Sequence, residues 1–233
     1  DTFTKGAVQY FKIAGKKYKI TGIAKGSGMI FPNMGTMLSF IFTDFPLLPK
    51  FLNELLQDSV ELSFNSITVD GDTSTSDTCI LFSTPSENSN YVSNFKDKRI
   101  KLFKNALDKV LVDLAQQIVA DGEGAKKLIS IRVKSAKSYK SAKIIALSVA
   151  NSPLIKTAIA GEDPNWGRII MAIGKSKVPI KQNLISINIC GVSVTYLGTL
   201  VDNYNEKKVA DKMKKNNIYI YIDLGLGKDE ATV

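Results

Sequence analysis

Residues 25–44 read KGSGMIFPNMGTMLSFIFTD, and the change of character inside this stretch organises everything around it. Gly26, Gly28, Pro32, Asn33 and Gly35 crowd the first half and mark a tight loop. Met37, Leu38, Phe40, Ile41 and Phe42 then lead into a core, as a strand or a buried helix. Thr36 stands on the seam, behind a glycine with no side chain to shield the peptide bond between them. A hydroxyl so placed can attack its own upstream carbonyl, and glycine tolerates the strained backbone that attack requires. Scission before Thr36 would leave it N-terminal, with an α-amine of reference pKa about 7.7–8.0 that serves as a base near working pH. One residue would then supply both nucleophile and base. The alternative reading of the same spacing is an ordinary loop entering a buried element.

The rest of the composition narrows the chemistry. The chain has 233 residues, 44% apolar and 23% charged, enough for one large or two modest domains. No apolar run approaches the ~18 residues of a membrane span. Cys79 and Cys190 stand apart, outside any C-x-x-C spacing, and suit a reducing cytoplasm and structural roles. The absence of histidine excludes Ser-His-Asp and Cys-His devices within this chain, as well as H-E-x-x-H zinc sites; no metal site or cofactor is expected. The net charge of +9 raises the question of nucleic acid. However, 28 of the 31 basic residues are scattered lysines, whereas arginine is the preferred fork for bases and phosphates. A solvated Lys-rich surface explains the charge, and such a surface can also draw in dicarboxylate substrates.

Along the chain, Lys16–Ala24 alternates polar and apolar residues as a strand feeding the Gly-rich loop, with a hairpin turn at Ala14-Gly15. Lys25 therefore sits where strand opens into loop, a usual place for a functional side chain. Neither a Walker loop nor a dinucleotide loop is present in GIAKGSG. Asp44 is expected to cap a helix with Pro46 in its first turn, followed by Leu47, Leu48, Phe51, Leu52, Leu55 and Leu56. Val69-Asp70-Gly71-Asp72 departs from the calcium-loop pattern and reads as an Asx and Ser/Thr turn cluster between strands. Asp97 to Ala120 is the longest helical pattern, stopped at Gly122. Beyond it lie a strand at Leu128–Val133 and helices at Ala142–Ala150 and Leu154–Ala160. Another helix follows Gly167, with Trp166 packing and Arg168 expected in an ion pair. A hairpin at Leu184–Ile189 and Val192–Leu197, a basic helix at Lys207–Lys215 and a final strand at Ile218–Leu224 complete the reading. This is an α+β protein, with residues 1–122 in one domain and 123–233 in a second, smaller α/β domain.

Several separated blocks together resemble one family. KGSGMIFPNMGTMLSF is similar to the self-cleavage segment of the ornithine acetyltransferase family, the bifunctional glutamate N-acetyltransferases of arginine biosynthesis, which typically reads KGxGMIxPNMATML. The blocks DTFTKGA, SFNSITVDGDTSTSD, DGEGAKK and DPNWGR match that family in the same order. Gly35 replaces the usual alanine and Ser76 the usual asparagine. The resemblance implies a layered αββα-type self-cleaving core, cut between Gly35 and Thr36, with Thr36 as nucleophile. It implies that Lys25 contacts substrate and that Glu123 holds the substrate amine. It also implies a fragment: family members carry roughly a hundred further residues ahead of this start, with the Thr-Gly pair of an oxyanion hole, and a substrate-contacting tail.

The function so implied is ping-pong acetyl transfer from N-acetylornithine to glutamate through an acetyl-Thr36 ester, with acetyl-CoA as a possible co-substrate. The partners implied are those substrates and the two self-cleaved chains in an α2β2 heterotetramer, in the cytoplasm, with no nucleic acid and no membrane. Two alternatives stand beside it: a related self-cleaving aminopeptidase or amidase, which usually carries serine as nucleophile, and a Lys-rich nucleic-acid-binding module.

Overall fold

The computed structural model describes residues 1–31, 37–87, 89–92 and 94–233. The chain divides into two compact units, Asp1–Gly124 and Ala125–Val233, each with its own core. Helices and mixed sheets occur in both, so the protein is α+β.

The first unit is built on a four-stranded sheet in the order β1-β2-β3-β4. β1 (Lys5–Ile13) and β2 (Lys16–Lys25) form a hairpin, closed by Ala14 and Gly15 at φ 47° and 83°. Two successive positive φ values match the strand twist, which is why a small residue and a glycine stand there. β3 (Leu38–Thr43) runs antiparallel to β2, and β4 (Thr78–Ser83) parallel to β3. Alternation sends Phe11, Tyr18, Ile20, Ile41 and Leu81 to one face, where they meet two helices. These are α1 (Pro49–Leu62) and α2 (Lys98–Ala120).

α2 is capped by Asp97, whose carboxylate accepts from the Arg99 N–H. Ile100, Phe103, Leu107, Val110, Leu111, Leu114 and Ile118 form its buried stripe, as their spacing requires. Gly22 of β2 lets this helix approach closely. A Cβ there would lie 2.7 Å from both Ile41 Cδ1 and Leu114 Cδ1. Phe11, Tyr18, Phe45 and Phe103 interlock at the other end of the core, with Phe45 and Phe103 stacked at 5.3 Å.

The opposite face of this sheet exposes Val8, Tyr10, Ile23, Phe42, Ile80 and Phe82. The described residues of this unit thus supply one helical layer and one sheet of the layered arrangement. β3 is central in the sheet, yet only its inward positions are buried to the extent that its apolar run suggested.

The expected start of α1 needs correction. Asp44 does not cap it: its carboxylate accepts from the Lys19 N–H instead. The helix begins at Pro49, with Leu48 extended at φ −72°, ψ 148°. The second proline decides this, since it forces its predecessor out of the helical region and suits the first helical position. Pro46 and Leu47 belong to an extended bridge with Val92.

The second unit holds a six-stranded sheet in the order β10-β5-β9-β6-β7-β8. Its strands are β5 (Leu128–Ala136), β6 (Ser186–Ile189), β7 (Val192–Tyr196), β8 (Thr199–Leu200), β9 (Asn217–Asp223) and β10 (Asp229–Thr232). Helices α3 (Tyr139–Ala150), α4 (Pro153–Ala160), α5 (Trp166–Lys175) and α6 (Glu206–Met213) complete it. Their buried residues join Ile131, Val133, Ile218, Ile220 and Ile222 in one core. The outward face is solvated, with Arg132–Glu230 and Lys134–Asp223 ion pairs.

Two expectations differ here. β9 is followed by a further strand, β10, whose DEAT sequence lacks an apolar alternation because it sits on the sheet edge. Arg168 donates to the Leu154 carbonyl and the Thr157 hydroxyl of α4 instead of pairing with a carboxylate. Among the described residues, no single helix is long and apolar enough to cross a membrane.

Truncating the aromatic stack tests the core of the first unit. Phe103→Ala should destabilise by about 3–5 kcal/mol, measured as a shift in urea midpoint, because a fully buried ring leaves a cavity.

Candidate functional site

The loop between β2 and β3 carries the stretch singled out in the sequence. Gly35 and Thr36, the expected scission point and nucleophile, lie outside the described residues. Their flanks do not. The β2–β3 ladder pairs Lys25 with Leu38, so Lys25 projects from the strand end beside the place where β3 starts. Its side chain is exposed and lies on the sheet face away from the helices.

Glu123, distant in sequence, reaches the same end of the sheet. Its backbone N–H donates to the Ser27 carbonyl at 3.1 Å. Its carboxylate lies against Gly28, where a Cβ would stand 3.3 Å from Oε1. The structure therefore brings together the Lys25–Gly28 loop and Glu123, an exposed cation and an exposed anion on facing segments. Such a pair of opposite charges suits a ligand with both a carboxylate and an ammonium group.

A buried charge cluster underlies this arrangement, and sequence reasoning missed it. Lys5 occupies an inward position of β1, its side chain 0% exposed, and its Nζ lies 2.6 Å from Asp121 Oδ2, itself 1% exposed. The same Nζ contacts Asp1 Oδ2 at 3.0 Å, and that oxygen accepts from the Gly26 N–H at 2.9 Å. Thr2 donates to Asp121 from both its backbone N–H and its hydroxyl. The Lys5 ammonium, and then the Thr2 hydroxyl, hold the Asp121 carboxyl well below the usual carboxylate range. One ion cluster thus ties the start of β1, the loop after Lys25 and the turn before Glu123. The available signal was Lys5 in register with Ala7 and Phe11, since a charge on an inward position demands a buried partner.

Met29 is a second local constraint. Its φ of 55° is costly for a side chain with a Cβ, of order 1–3 kcal/mol, and persists only where surroundings enforce it. The Asp70 carboxylate does so, accepting from the Met29 N–H at 2.6 Å and the Ile30 N–H at 3.2 Å. On the other flank, the Met37 N–H donates to Asp77 Oδ1 at 2.8 Å. Burial raises the Asp77 carboxyl above its ordinary range, and the Met37 N–H partly offsets that. The Asp70 segment is therefore an Asx turn, in which the Asp72 N–H also donates to Asp70. Cys79 is no rival nucleophile. Burial pushes its thiol up to about 12, so it stays protonated at neutral pH.

The whole chain, residues 1–233, matches the ArgJ family. The "arginine biosynthesis bifunctional protein ArgJ" of Zymomonas mobilis is 49% identical, aligned over 100% of this chain and 57% of that protein. The protein of the same name from Bradyrhizobium diazoefficiens is 48% identical, with the same two coverages. A crystal structure of the arginine biosynthesis bifunctional protein argJ from Bacillus halodurans aligns with a TM-score of 0.80 at 34% identity. That alignment covers 85% of this chain and 92% of that one. The chain spans 57% of the length of the curated relatives it matches.

The Asp121 pair predicts an acid-side signature. A depressed folded pKa gives stability that is fully present above the unfolded value of about 3.9 and is lost as pH falls through the folded value. Asp121→Asn should therefore lower the thermal midpoint at neutral pH, and the gap to the parent should close well below pH ~3.9. A gap independent of pH would mean that the charge contributes nothing.

Proposed function

Since the chain belongs to the ArgJ family, we propose that it carries the self-cleaving threonine and part of the substrate site of a glutamate N-acetyltransferase of arginine biosynthesis. The observation that carries this reading is that Glu123 packs against Ser27 and Gly28, in the loop that Lys25 opens at the end of β2.

In the proposed maturation, Thr36 Oγ attacks the Gly35 carbonyl carbon. The peptide C–N bond breaks, its nitrogen becomes the free Thr36 amine, and water hydrolyses the resulting ester. In turnover, Thr36 Oγ attacks the acetyl carbonyl of N-acetylornithine while the α-amine takes the hydroxyl proton. That proton passes to the departing ornithine nitrogen, leaving an acetyl-Thr36 ester. Glutamate then attacks the ester through its own amine and leaves as N-acetylglutamate. Lys25 would bind and orient the substrate, and Glu123 would hold the ammonium of ornithine. Each oxyanion needs positioned donors, a contribution of about 2.7–4 kcal/mol per donor. By family resemblance those donors are a Thr-Gly pair outside these residues. Acetyl-CoA would be an alternative donor, and no cofactor is required by this scheme.

Scission would divide the sheet between two chains that still hold together. β2 would belong to the upstream chain and β3 to the downstream one, joined from Ile20↔Thr43 to Lys25↔Leu38. Lys5–Asp121 would also cross between them. An α2β2 heterotetramer in the cytoplasm is the assembly proposed.

Intact mass of the full-length protein tests the maturation. The parent should give two chains that divide between Gly35 and Thr36, and Thr36→Ala should give one. Incubation with N-acetylornithine should add one acetyl mass to the downstream chain. Ornithine release at full rate without glutamate would instead identify a hydrolase. Lys25→Met and Glu123→Gln should each raise KM about tenfold or more, the loss of a charge-assisted hydrogen bond of ~1.5–3 kcal/mol, while leaving self-cleavage intact.

A further inference from the structure

The loop that joins α1 to β4 contains three carboxylates, Asp70, Asp72 and Asp77, and its sequence reads as a turn cluster. Its contacts are more specific than that. At both borders of the proposed scission segment, backbone groups of Met29, Ile30 and Met37 are engaged by this one loop. On the upstream border, Asp70 accepts from the Met29 and Ile30 N–H groups, while the Val69 N–H and the Thr68 hydroxyl donate to the Ile30 carbonyl at 2.8 and 3.2 Å. On the downstream border, Asp77 accepts from the Met37 N–H, and the Thr78 N–H donates to the Met37 carbonyl at 3.0 Å.

From these contacts we infer that Asp70 and Asp77 form a two-point clamp that sets the separation and direction of the two ends of the segment cut in maturation. The inference rests on the self-cleavage reading given above and adds two positioning residues to it. Neither carboxylate reacts. Each acts through the backbone N–H it holds, Asp70 on Met29 and Ile30, and Asp77 on the residue immediately after Thr36.

Three features favour a clamp over incidental turn bonding. Met29 is held at φ 55°, a conformation that a local turn preference does not supply. Asp77 is sufficiently buried that its charge is disfavoured, and the Met37 N–H is the partner that offsets this. The loop itself is braced: Ser74 is buried and accepts from the Ser76 N–H, and Val69 packs against Gly122, where a Cβ would stand 2.9 Å from Val69 Cγ1. The separation of the two anchors is therefore braced within the loop itself. Intramolecular attack depends steeply on such placement, because a displacement of about 1 Å can cost ~10²-fold in rate.

After scission the two anchors would part in role. Asp77 and Met37 would lie on the same downstream chain, so Asp77 would continue to hold the residue next to the new N-terminus. Asp70 would hold the end of the other chain.

The test measures self-cleavage in full-length protein by intact mass over time. Asp70→Ala and Asp77→Ala should each slow cleavage about tenfold or more. Asp70→Asn and Asp77→Asn should stay within about threefold of the parent, because the amide oxygen still accepts the same N–H. Asp72→Ala, an exposed residue of the same loop, should cut at the parental rate. Each Ala substitution is also made in the uncleavable Thr36→Ala background, where the thermal midpoint should move by no more than about 2 °C, under ~1 kcal/mol for a domain of this size. The clamp is overturned if either Ala variant cuts at the parental rate, if Asn fails to restore cleavage, or if slowing simply follows lost stability. An uncut parent would instead sink the self-cleavage reading itself, so the two failures are distinguishable.

Discussion

The buried contact between Lys5 and Asp121 is the constraint on which the geometry of the first unit turns. A charge on the inward side of a strand is tolerated only with a partner close enough to replace its hydration. Here the partner stands at the C-terminal end of α2, so the ion pair fixes where that helix ends relative to β1. Asp1 and Thr2 complete the cluster and pass the constraint on to the Gly26 N–H and the turn before Glu123. Buried ion pairs are poor evidence of net stability compared with apolar replacements, but removing one partner strands the other. Their value here is positional, since three segments remote in sequence are held at one end of a sheet.

Apolar packing supplies most of the driving force, and the polar contacts decide the register of what is packed. α2 lays a long buried stripe across β1 and β2, and Gly22 permits close approach. That seating carries Asp121 and Glu123 to the strand ends. The loop after α1 then grips both borders of the β2–β3 connection through Asp70 and Asp77. The described ends of that connection, Met29–Ile30 and Met37, are thus held by surroundings that they do not themselves create.

Much of the fold was legible in the sequence because it follows from local periodicity. The β1–β2 turn at Ala14-Gly15, the buried face of α2, the break at Pro153 and the turn at Cys190-Gly191 all appear where spacing and turn chemistry put them. The start of α1 was misplaced because two prolines compete for the first helical position, and Pro46 is taken up in the extended bridge to Val92 while Leu48 extends before Pro49. β10 was missed because a short edge strand need not alternate. At the site, Lys25 and Glu123 stood out through family-like motifs, whereas Lys5, Asp70, Asp77 and Asp121 carried no local mark of their eventual partners.

The sequence by itself determined the alternation of strands and helices, the apolar faces they bury, and the Gly-rich stretch that ends at Thr36. These depend on interactions within a few residues, where backbone sterics and side-chain period leave little choice. Only the tertiary structure decided which carboxylate meets which backbone donor or ammonium, from Asp70 at Met29 to Asp121 at Lys5. The physical reason is range. A hydrogen bond or ion pair acts over a few ångströms, so its partners are chosen by how the packed layers bring remote segments together, and no local pattern encodes that choice.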